Sequence, residues 1–597
     1  MIVPMIKIYI AARQQDQPQL LQALRELGVV HLVPVDPQAA VSDGKTLEDA
    51  QNLRRALHEL YGVVPVGERP ELDAVDAAAE VLRCERGLVE DGNRLAQLHH
   101  ELHELDLWGD FRLQQMEDLK QAGVDVQFHI LPAADLNQVQ GECVAQVGSQ
   151  PGDQIVVAVA SRRGSIQVPE SAVELPLPHH DASMIREEAA RVEEDLKAMR
   201  HRLSELAHLV PEMQQALPQL ELEVEFHQAR KGGLSDDRLF ALQGWVPAES
   251  ADSLPQSLQE QNLPVAVKFM EPAEDEVPPT LIRSPVWARP IEGLFNVLGT
   301  VAGYREFDVA VPFLIALPIF TAMLISDGGY GLVLLLAVTL GYGKASELLG
   351  KQFTHLMIIV SAATLLWGLV CATFFGVKLY TPLIDVSLEE SARVFLMLLT
   401  FCMGAIHLSV AQLWPAVRMF PNPLFLNRVG WMIFIWGMLG VVLHFVLNWT
   451  FGWHTPWPYL LIVGAVLAIG FAYPKAWLGK RLLLGVADFP LSMLSTFSDV
   501  ISYVRLMAVG LASSVLAESF NAMAMAMVSE GGGIVQWPLM IVILFFGHSL
   551  NLCLALIAMF AHGVRLNMLE FSNNLGMQWT GYRYHPFSQR TTQEYQT

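Results

Sequence analysis

Two arginines stand where arginine is costly. Arg505 lies in FSDVISYVRLMAVGLASSVLAESF together with Asp499 and Glu518. Arg565 lies in FFGHSLNLCLALIAMFAHGVRLNMLE together with His548, Asn551, His562 and Glu570. Both stretches are otherwise apolar over more residues than a bilayer crossing needs, and ionisable groups in such runs are functional candidates. Arg505 is about 15 residues into its run, roughly 22 Å along a helix, which is too deep to snorkel easily. A guanidinium keeps its proton at any accessible pH. Arg505 therefore acts as a fixed positive charge and not as a proton relay; the competing reading is an ion pair with Asp499 or Glu518. Arg565 is about two turns from the end of its run, where its head could reach the headgroups. Glu518 faces the outer half and could collect protons or simply bond a neighbouring helix. His548, Asn551 and His562 suit either a relay or interhelical hydrogen bonds. Glu570 is expected to meet the headgroups, and Asp327 in SDGGYG to serve a tight turn. The candidates for ion translocation are thus Arg505, Arg565, Glu518, Asp499, His548, Asn551 and His562.

These residues sit in the last two of eight apolar runs, at about 308–326, 329–343, 354–376, 393–414, 429–449, 457–476, 490–528 and 536–572. The last two exceed a simple crossing and must tilt or protrude. Lys344 and Lys351 follow the second run, Arg418 and Arg428 the fourth, and Lys475, Lys480 and Arg481 the sixth. The alternate loops hold Asp327, Asp385, Glu389, Glu390, the uncharged NWTFGWHTPW and Glu530. The basic loops are expected in the cytoplasm, and with them both ends of an even-numbered set of spans. Trp431, Trp449, Trp453, Trp457 and Trp537 fall near run ends, as an aromatic belt would.

The remaining charge lies elsewhere. The chain has 597 residues, is 52% hydrophobic and 17% charged, and has a net charge of −22. Residues 1–300 hold 48 acidic and 25 basic side chains; from 301 onward there are 13 and 14. One uniform domain does not divide its charge this way, and a nucleic-acid binder needs a basic field. The pattern describes an acidic soluble arm, residues 1–290, joined to a membrane domain, residues 291–597. In the arm, residues 2–10 alternate like a strand, residues 16–27 read as a helix stopped by Gly28, and VVHLVPV as a second strand, together a β-α-β unit. Further strands are expected at 125–131, 153–160, 240–246 and 264–270. Between these α/β segments lie two long helical stretches, about 46–120 and 181–230. In the second, Ile185, Ala189, Val192, Leu196, Met199, Leu203 and Leu206 keep a 4,3 spacing. In the first, Val81, Leu88, Leu95 and Leu102 are seven apart, with Leu98 and Leu105 in the other seam position. The fold expected is a pair of α/β lobes joined by an antiparallel coiled-coil hairpin, kinked at Pro211 and Pro218. An eight-helix membrane domain then follows.

The five cysteines, Cys84, Cys143, Cys371, Cys402 and Cys553, form no C-x-x-C pair, so neither a disulfide framework nor a zinc site is expected. Gly44-Lys45-Thr46 lacks the earlier glycine of a phosphate loop (Ala39 stands there), and Gly343-Lys344 is followed by Ala345. No cofactor, metal or nucleotide site is expected, and no secretory signal peptide at the N-terminus.

SYVRLMAVGLA around Arg505 and HGVRLNMLEF around Arg565 resemble the two arginine segments of the large membrane subunit of V-type and A-type rotary ATPases. The opening MIVPMIKIYI…LRELGVVHL, Gly244-Trp245-Val246-Pro247, VPPTLI at 277–282, SDGGYG at 326–331 and GYRYHPF at 581–587 are similar too, in order along the whole chain. The resemblance implies a non-catalytic stator subunit. Its two tilted helices face a rotating proteolipid ring across two offset half-channels for protons or sodium ions, and Arg505 and Arg565 lie between the half-channels. It implies further partners in peripheral-stalk subunits and a central-stalk or rotor-cap subunit. It also implies an integral, multi-pass place in the prokaryotic inner membrane, with membrane lipid around the spans, and coupling of ion flow to ATP hydrolysis or synthesis on other subunits. The chain departs from the vacuolar pattern at Ser513, where those relatives show a histidine, and at Ala555, where they show a glutamate. Glu518, His548 and Asn551 are the expected substitutes. The alternative is a stand-alone secondary ion transporter with a coiled-coil arm; no internal repeat supports it.

Overall fold

The computed structural model describes residues 1–35, 44–105, 113–150, 154–162, 166–169, 171–176, 181–261, 263–474, 477–529 and 536–588. Ala39, Lys475, Glu530 and the first residue of the strand expected at 153 lie outside the described residues.

The strand Met5–Arg13 and the helix Gln17–Leu27 form where alternation and the leucine stripe require them, and Gly28 ends the helix at φ 60°. The expected β-α-β unit is split, however. His31–Val33 does not pair with Met5–Arg13; both pair antiparallel with Leu239–Pro247, which lies between them. The central strand is thus supplied from more than 200 residues downstream, and Gly244-Trp245-Val246-Pro247 forms its last four residues. Gly244 is required there, since a Cβ would lie 2.5 Å from the His31 carbonyl oxygen. Ala266–Met270 flanks the other side of Met5–Arg13. A second, four-stranded sheet is built from Cys143–Gln150, Gln154–Ser161, Asp125–Pro132 and Val173–Leu175, in that order.

The first long helical stretch is not continuous. It divides into Gly44–Glu59, Ala74–Leu105 and Leu113–Gln121. Pro65 and Pro70, with Gly62 and Gly67 at positive φ, occupy the first interruption. The second stretch divides into Ala182–Leu206 and Val210–Gly232 around a 3₁₀ turn at Ala207–Leu209. Pro211 is the cause, because its ring excludes the α-helical carbonyl of Ala207; Pro218 lies inside the second helix. Ala74–Leu105 and Ala182–Leu206 run antiparallel: Arg202 bonds Glu80 at 2.7 Å near one end, and Arg94 Nη2 bonds Glu188 at 2.6 Å further along. Leu98, Leu105, Ile185 and Ala189 fill the seam.

In the membrane half every apolar run is helical, but not every helix is a full straight crossing. Lys351–Cys371, Glu390–Met419, Leu424–Leu447, Leu478–Met527 and Gln536–Leu575 are long and apolar enough to span. Gly328–Leu340 and Tyr342–Leu349 make a sixth only as a pair bent by 84°. Ala310–Ile325 and Trp457–Phe471 have 16 and 15 residues, a rise of about 24 Å or less against a hydrocarbon core of about 30 Å. Among the described residues, length and composition alone thus give five or six helices able to cross, where eight spans are expected. Ala310–Ile325 ends at Ser326 in a left-handed conformation, and Asp327 caps the next helix. The short helix is buried along most of its length by its neighbours, with Ile315 and Ile319 left exposed on one face.

The seventh run begins earlier than expected, at Leu478, and bends at Tyr503 between Leu478–Ser502 and Val504–Ser529. Gln536–Ala558 continues through two π-helical turns, Met559–Val564 and Leu566–Phe571, on either side of Arg565. Gly510 lets the Val504–Ser529 helix meet Ala310–Ile325: a Cβ there would lie 2.2 Å from the Met323 carbonyl oxygen.

Candidate functional site

The two arginines converge, on a residue that the sequence placed at the headgroups. Arg505 Nη2 lies 4.0 Å and Arg565 Nε 3.8 Å from Glu570 Oε1. The carboxylate is buried, its side chain 5% exposed, while the Arg565 side chain is 52% exposed. Residues five apart on an α-helix point about 140° away from each other. The π-helical turns, with i→i+5 bonds, bring Arg565 and Glu570 to one side. Arg505 therefore does not pair with Asp499 or Glu518. Its Nη1, and Glu570 Oε2, are buried with no hydrogen-bond partner among the described residues.

Arg505 is held by the bend that precedes it. Tyr503 is fully buried against Gly404, and its hydroxyl pairs with His407 Nδ1 at 2.7 Å. That bond ties the bend to the Glu390–Met419 helix.

On one side of the arginines lies a cluster around Asn574. Its amide donates to Asp499 Oδ2 at 2.8 Å, and its side-chain oxygen accepts from Gln412 Nε2 at 3.0 Å. Arg428 Nη1 donates to Gln412 at 3.1 Å and to the Asn574 carbonyl at 2.8 Å. On the other side, Asn551 donates to the Tyr330 hydroxyl at 3.0 Å and to the Ser513 carbonyl at 2.9 Å; Ser513 Oγ donates to Asn551 Oδ1 at 3.1 Å. The Tyr330 hydroxyl also pairs with His548 Nδ1 at 2.8 Å, and it is the donor there when His548 is neutral and carries its proton on Nε2. His548 Nε2 then carries the other proton toward Asn521 Oδ1 at 3.1 Å. Asn521 in turn donates to the Phe375 carbonyl at 2.7 Å. Asp327 accepts from the backbone N–H groups of Gly329, Tyr330, Phe375 and Gly376, and so pins the turn that carries Tyr330.

The structure thus brings Arg505 and Arg565 together, sets Asp499 in the first cluster and His548 and Asn551 in the second. Glu518 is exposed, one turn from Asn521, and is outside both networks. His562 lies half-buried beside the arginines' helix turn, with Nδ1 unbonded. Sequence reading missed Glu570, Asn574, Gln412, Tyr503, His407, Tyr330 and Asn521. A polar residue inside an apolar run was the available signal for Gln412 and His407. Tyr330 was within reach too, beside Asp327 in the SDGGYG turn.

No family model matches the chain. Over 98% of this chain and 99% of the relative it is 27% identical to the V-type ATP synthase subunit I of Borreliella burgdorferi. It is 26% identical to the V-type ATP synthase subunit I 1 of Treponema pallidum over 99% of this chain and all of that one. To the A-type ATP synthase subunit I of Methanocaldococcus jannaschii it is 24% identical, over 60% of this chain and 56% of that one. Among solved structures, the cytoplasmic N-terminal domain of a V-ATPase subunit I aligns with 44% of this chain and all of that one, at 16% identity and a TM-score of 0.19, too low to compare folds. The full-length relatives of this chain are therefore V-type ATP synthase subunits I, the family that its two arginine segments resemble.

Proposed function

We propose that the chain is the ion-conducting stator subunit of a V/A-type rotary ATPase, with Arg505 and Arg565 as the barrier between two half-channels. The observation that carries this reading is the exposed Arg565 side chain on a helix whose apolar window the rest of the chain leaves largely uncovered. Of the long apolar helices, Gln536–Leu575 is the least buried, at 17% of its apolar window. Phe545, Phe546 and Ile557 on it are each more than 60% exposed. A charge exposed on such a surface is costly against lipid. A ring of small subunits bearing carboxylates satisfies both the apolar face and the cation.

In this reading the Ser513–Asn551–Tyr330–His548–Asn521 network opens outward, and the Asp499–Asn574–Gln412–Arg428 cluster opens to the cytoplasm. The basic loops around Lys344, Arg418 and Lys480 support that sidedness. A ring carboxylate arriving protonated from one side loses its proton beside Arg505, because the guanidinium favours the ionised form. It is reprotonated only after leaving the arginine for the other side. The same charges repel a free proton and keep the two sides separate. Glu570 holds the two guanidiniums without neutralising both, so one net positive charge faces the ring. The arm, with its antiparallel helix pair, holds stalk subunits, and the ATP sites are on other subunits.

The test is ATP-driven ion uptake by the purified complex in vesicles. Arg505→Gln is expected to assemble, keep the ring and ATPase subunits, and lose at least about tenfold of its uptake, roughly 1.4 kcal/mol or more in the coupled step. Normal uptake by an assembled variant would overturn the role given to Arg505. Isolation of the wild-type chain alone, with its own ATP-independent transport, would overturn the rotary reading.

A further inference from the structure

Where the arm meets the membrane half there is a cavity of about 750 Å³, lined among others by Thr280, Ser284, Arg289, Thr300, Trp579 and Arg583. Its floor includes Ala310 and Gln352, the first turns of two apolar helices, so it lies at the membrane surface. The Thr280 and Ser284 side chains are buried, 3% and 8% exposed, and neither hydroxyl has a hydrogen-bond partner. The Thr300 hydroxyl is likewise unbonded. Three unbonded hydroxyls in the wall of one cavity are unusual, since buried polar groups are normally satisfied.

The charges in the wall are unevenly committed. Glu292 accepts from Gln352 at 3.2 Å, and Asp308 is bonded to the N-terminal ammonium and to the Ala310 N–H. Arg283 bonds Glu249 at 2.6 Å, and Arg583 bonds the Asn296 side chain, a neutral partner. The Arg289 guanidinium has no ion pair or hydrogen bond among the described residues. Arg289, Arg583 paired only to an amide and the unbonded hydroxyls are the groups a phosphate can bond, and Glu292, likewise paired only to an amide, is the one carboxylate set against them.

The rim says which phosphate. Val286, Trp287 and Val297 are 76%, 57% and 58% exposed on the segment that leads into the first membrane helix. An exposed tryptophan with aliphatic neighbours at this level belongs among lipid headgroups. We propose that the cavity binds the phosphate headgroup of an anionic phospholipid, with Arg289 and Arg583 on the phosphate, Ser284, Thr280 and Thr300 completing its hydrogen bonds, and the acyl chains running over Val286, Trp287 and Val297. The lipid then bridges the arm, the C-terminal segment and the first membrane helices. This proposal does not rest on the ion-path reading, because Arg505, Arg565 and Glu570 are not among the residues that line the cavity.

The experiment uses the full chain within its purified complex, delipidated in detergent, with dioctanoyl phosphatidylglycerol as probe and binding read by native mass spectrometry of the released subunit. Dioctanoyl phosphatidylcholine and inorganic phosphate are the comparison probes. Phosphatidylglycerol is expected to bind one per chain, about tenfold tighter than phosphatidylcholine. Arg289→Gln should weaken it about fivefold and Ser284→Ala about threefold, while ATP-driven uptake in native lipid stays within about twofold of wild type. Arg289→Gln is the informative variant, because that guanidinium has no structural partner to lose; Arg583→Gln is secondary, since it also frees Asn296. Equal binding of phosphatidylcholine, unchanged binding in both single variants, or displacement of the lipid by inorganic phosphate at equal concentration would each overturn the proposal.

Discussion

Beyond Ser513 the last two membrane helices are joined by neutral groups that bond one another, whereas around Arg505 they are joined by charges that do not fully bond. Asn551, Tyr330, His548 and Asn521 spend their donors and acceptors in a directed series. Glu570, shared by Arg505 and Arg565 at 4.0 and 3.8 Å, leaves one oxygen and one guanidinium nitrogen empty. In a low-dielectric surrounding the first arrangement is close to self-sufficient. The second is not, and its unfilled valences are what a passing carboxylate can use. The difference separates a network that positions residues from a group of charges poised to interact with something outside the chain.

Substitutions can break that comparison, and the charged group should respond most. Removing the Arg505 charge comes first, with the tenfold or larger loss of uptake given above. Glu570→Gln should come second. Without the carboxylate the two guanidiniums repel one another, and uptake is expected to fall about fivefold with assembly intact. Uptake equal to wild type would show that Glu570 only fills space. In the neutral network, Tyr330→Phe removes the donor to His548 and the acceptor for Asn551. It should lower uptake about threefold and stability by about 1–3 kcal/mol, read by thermal unfolding of the complex. A larger uptake loss than for Glu570→Gln would reverse the ranking of the two clusters. Arg565→Lys keeps the charge and should change uptake less than about threefold.

The arm provides the smallest effect and a control for the membrane. Arg202 donates to both Glu80 and Glu205, each at 2.7 Å. The Arg202 bond holds the Glu205 carboxyl below its usual value of 4.5, ahead of the opposing effect of burial. A carboxylate whose folded value is depressed contributes stability that is complete above its unfolded value and is lost as the pH falls through the lower folded one. The arm should therefore lose this contribution only below about pH 4.5. Arg202→Gln should lower the melting temperature of the arm slightly at neutral pH, as loss of an exposed ion pair does, without changing uptake. Melting temperatures of wild type and variant between pH 3 and 7 should converge at the acid end. A constant gap across that range would show that the pair contributes nothing through its charge.

How much of this could be read in the sequence follows from geometry. Arg505 and Arg565 were legible because a permanent charge inside an apolar run has few alternatives. Glu570 was not, because α-helical spacing turns a residue five positions from Arg565 away from it, and no pattern announces the π-helical turns that reverse this. Tyr330 lies 218 residues from His548, and only folding unites them. In the arm, alternation revealed the longer strands except Cys143–Gln150, where the register shift between Gln146 and Gly148 breaks the period of two, and it missed Val173–Leu175 and Leu234–Ser235, which are too short to show a period. It could not reveal strand order, since the partner of both early strands begins at Leu239. Each apolar run holds a helix, but hydropathy did not show that Ala310–Ile325 is short and mostly buried by its neighbours, because burial in protein and in lipid select the same residues.

The central claim is that Arg505 and its neighbour separate two polar sides of one membrane domain. The direct measurement is passive proton flux through the assembled complex in vesicles under an imposed gradient, without nucleotide, for wild type and Arg505→Ala. The wild type is expected to be tight, and the variant to leak at least about tenfold faster while ATP-driven uptake is lost. A variant that remains as tight as wild type and still pumps would contradict that claim.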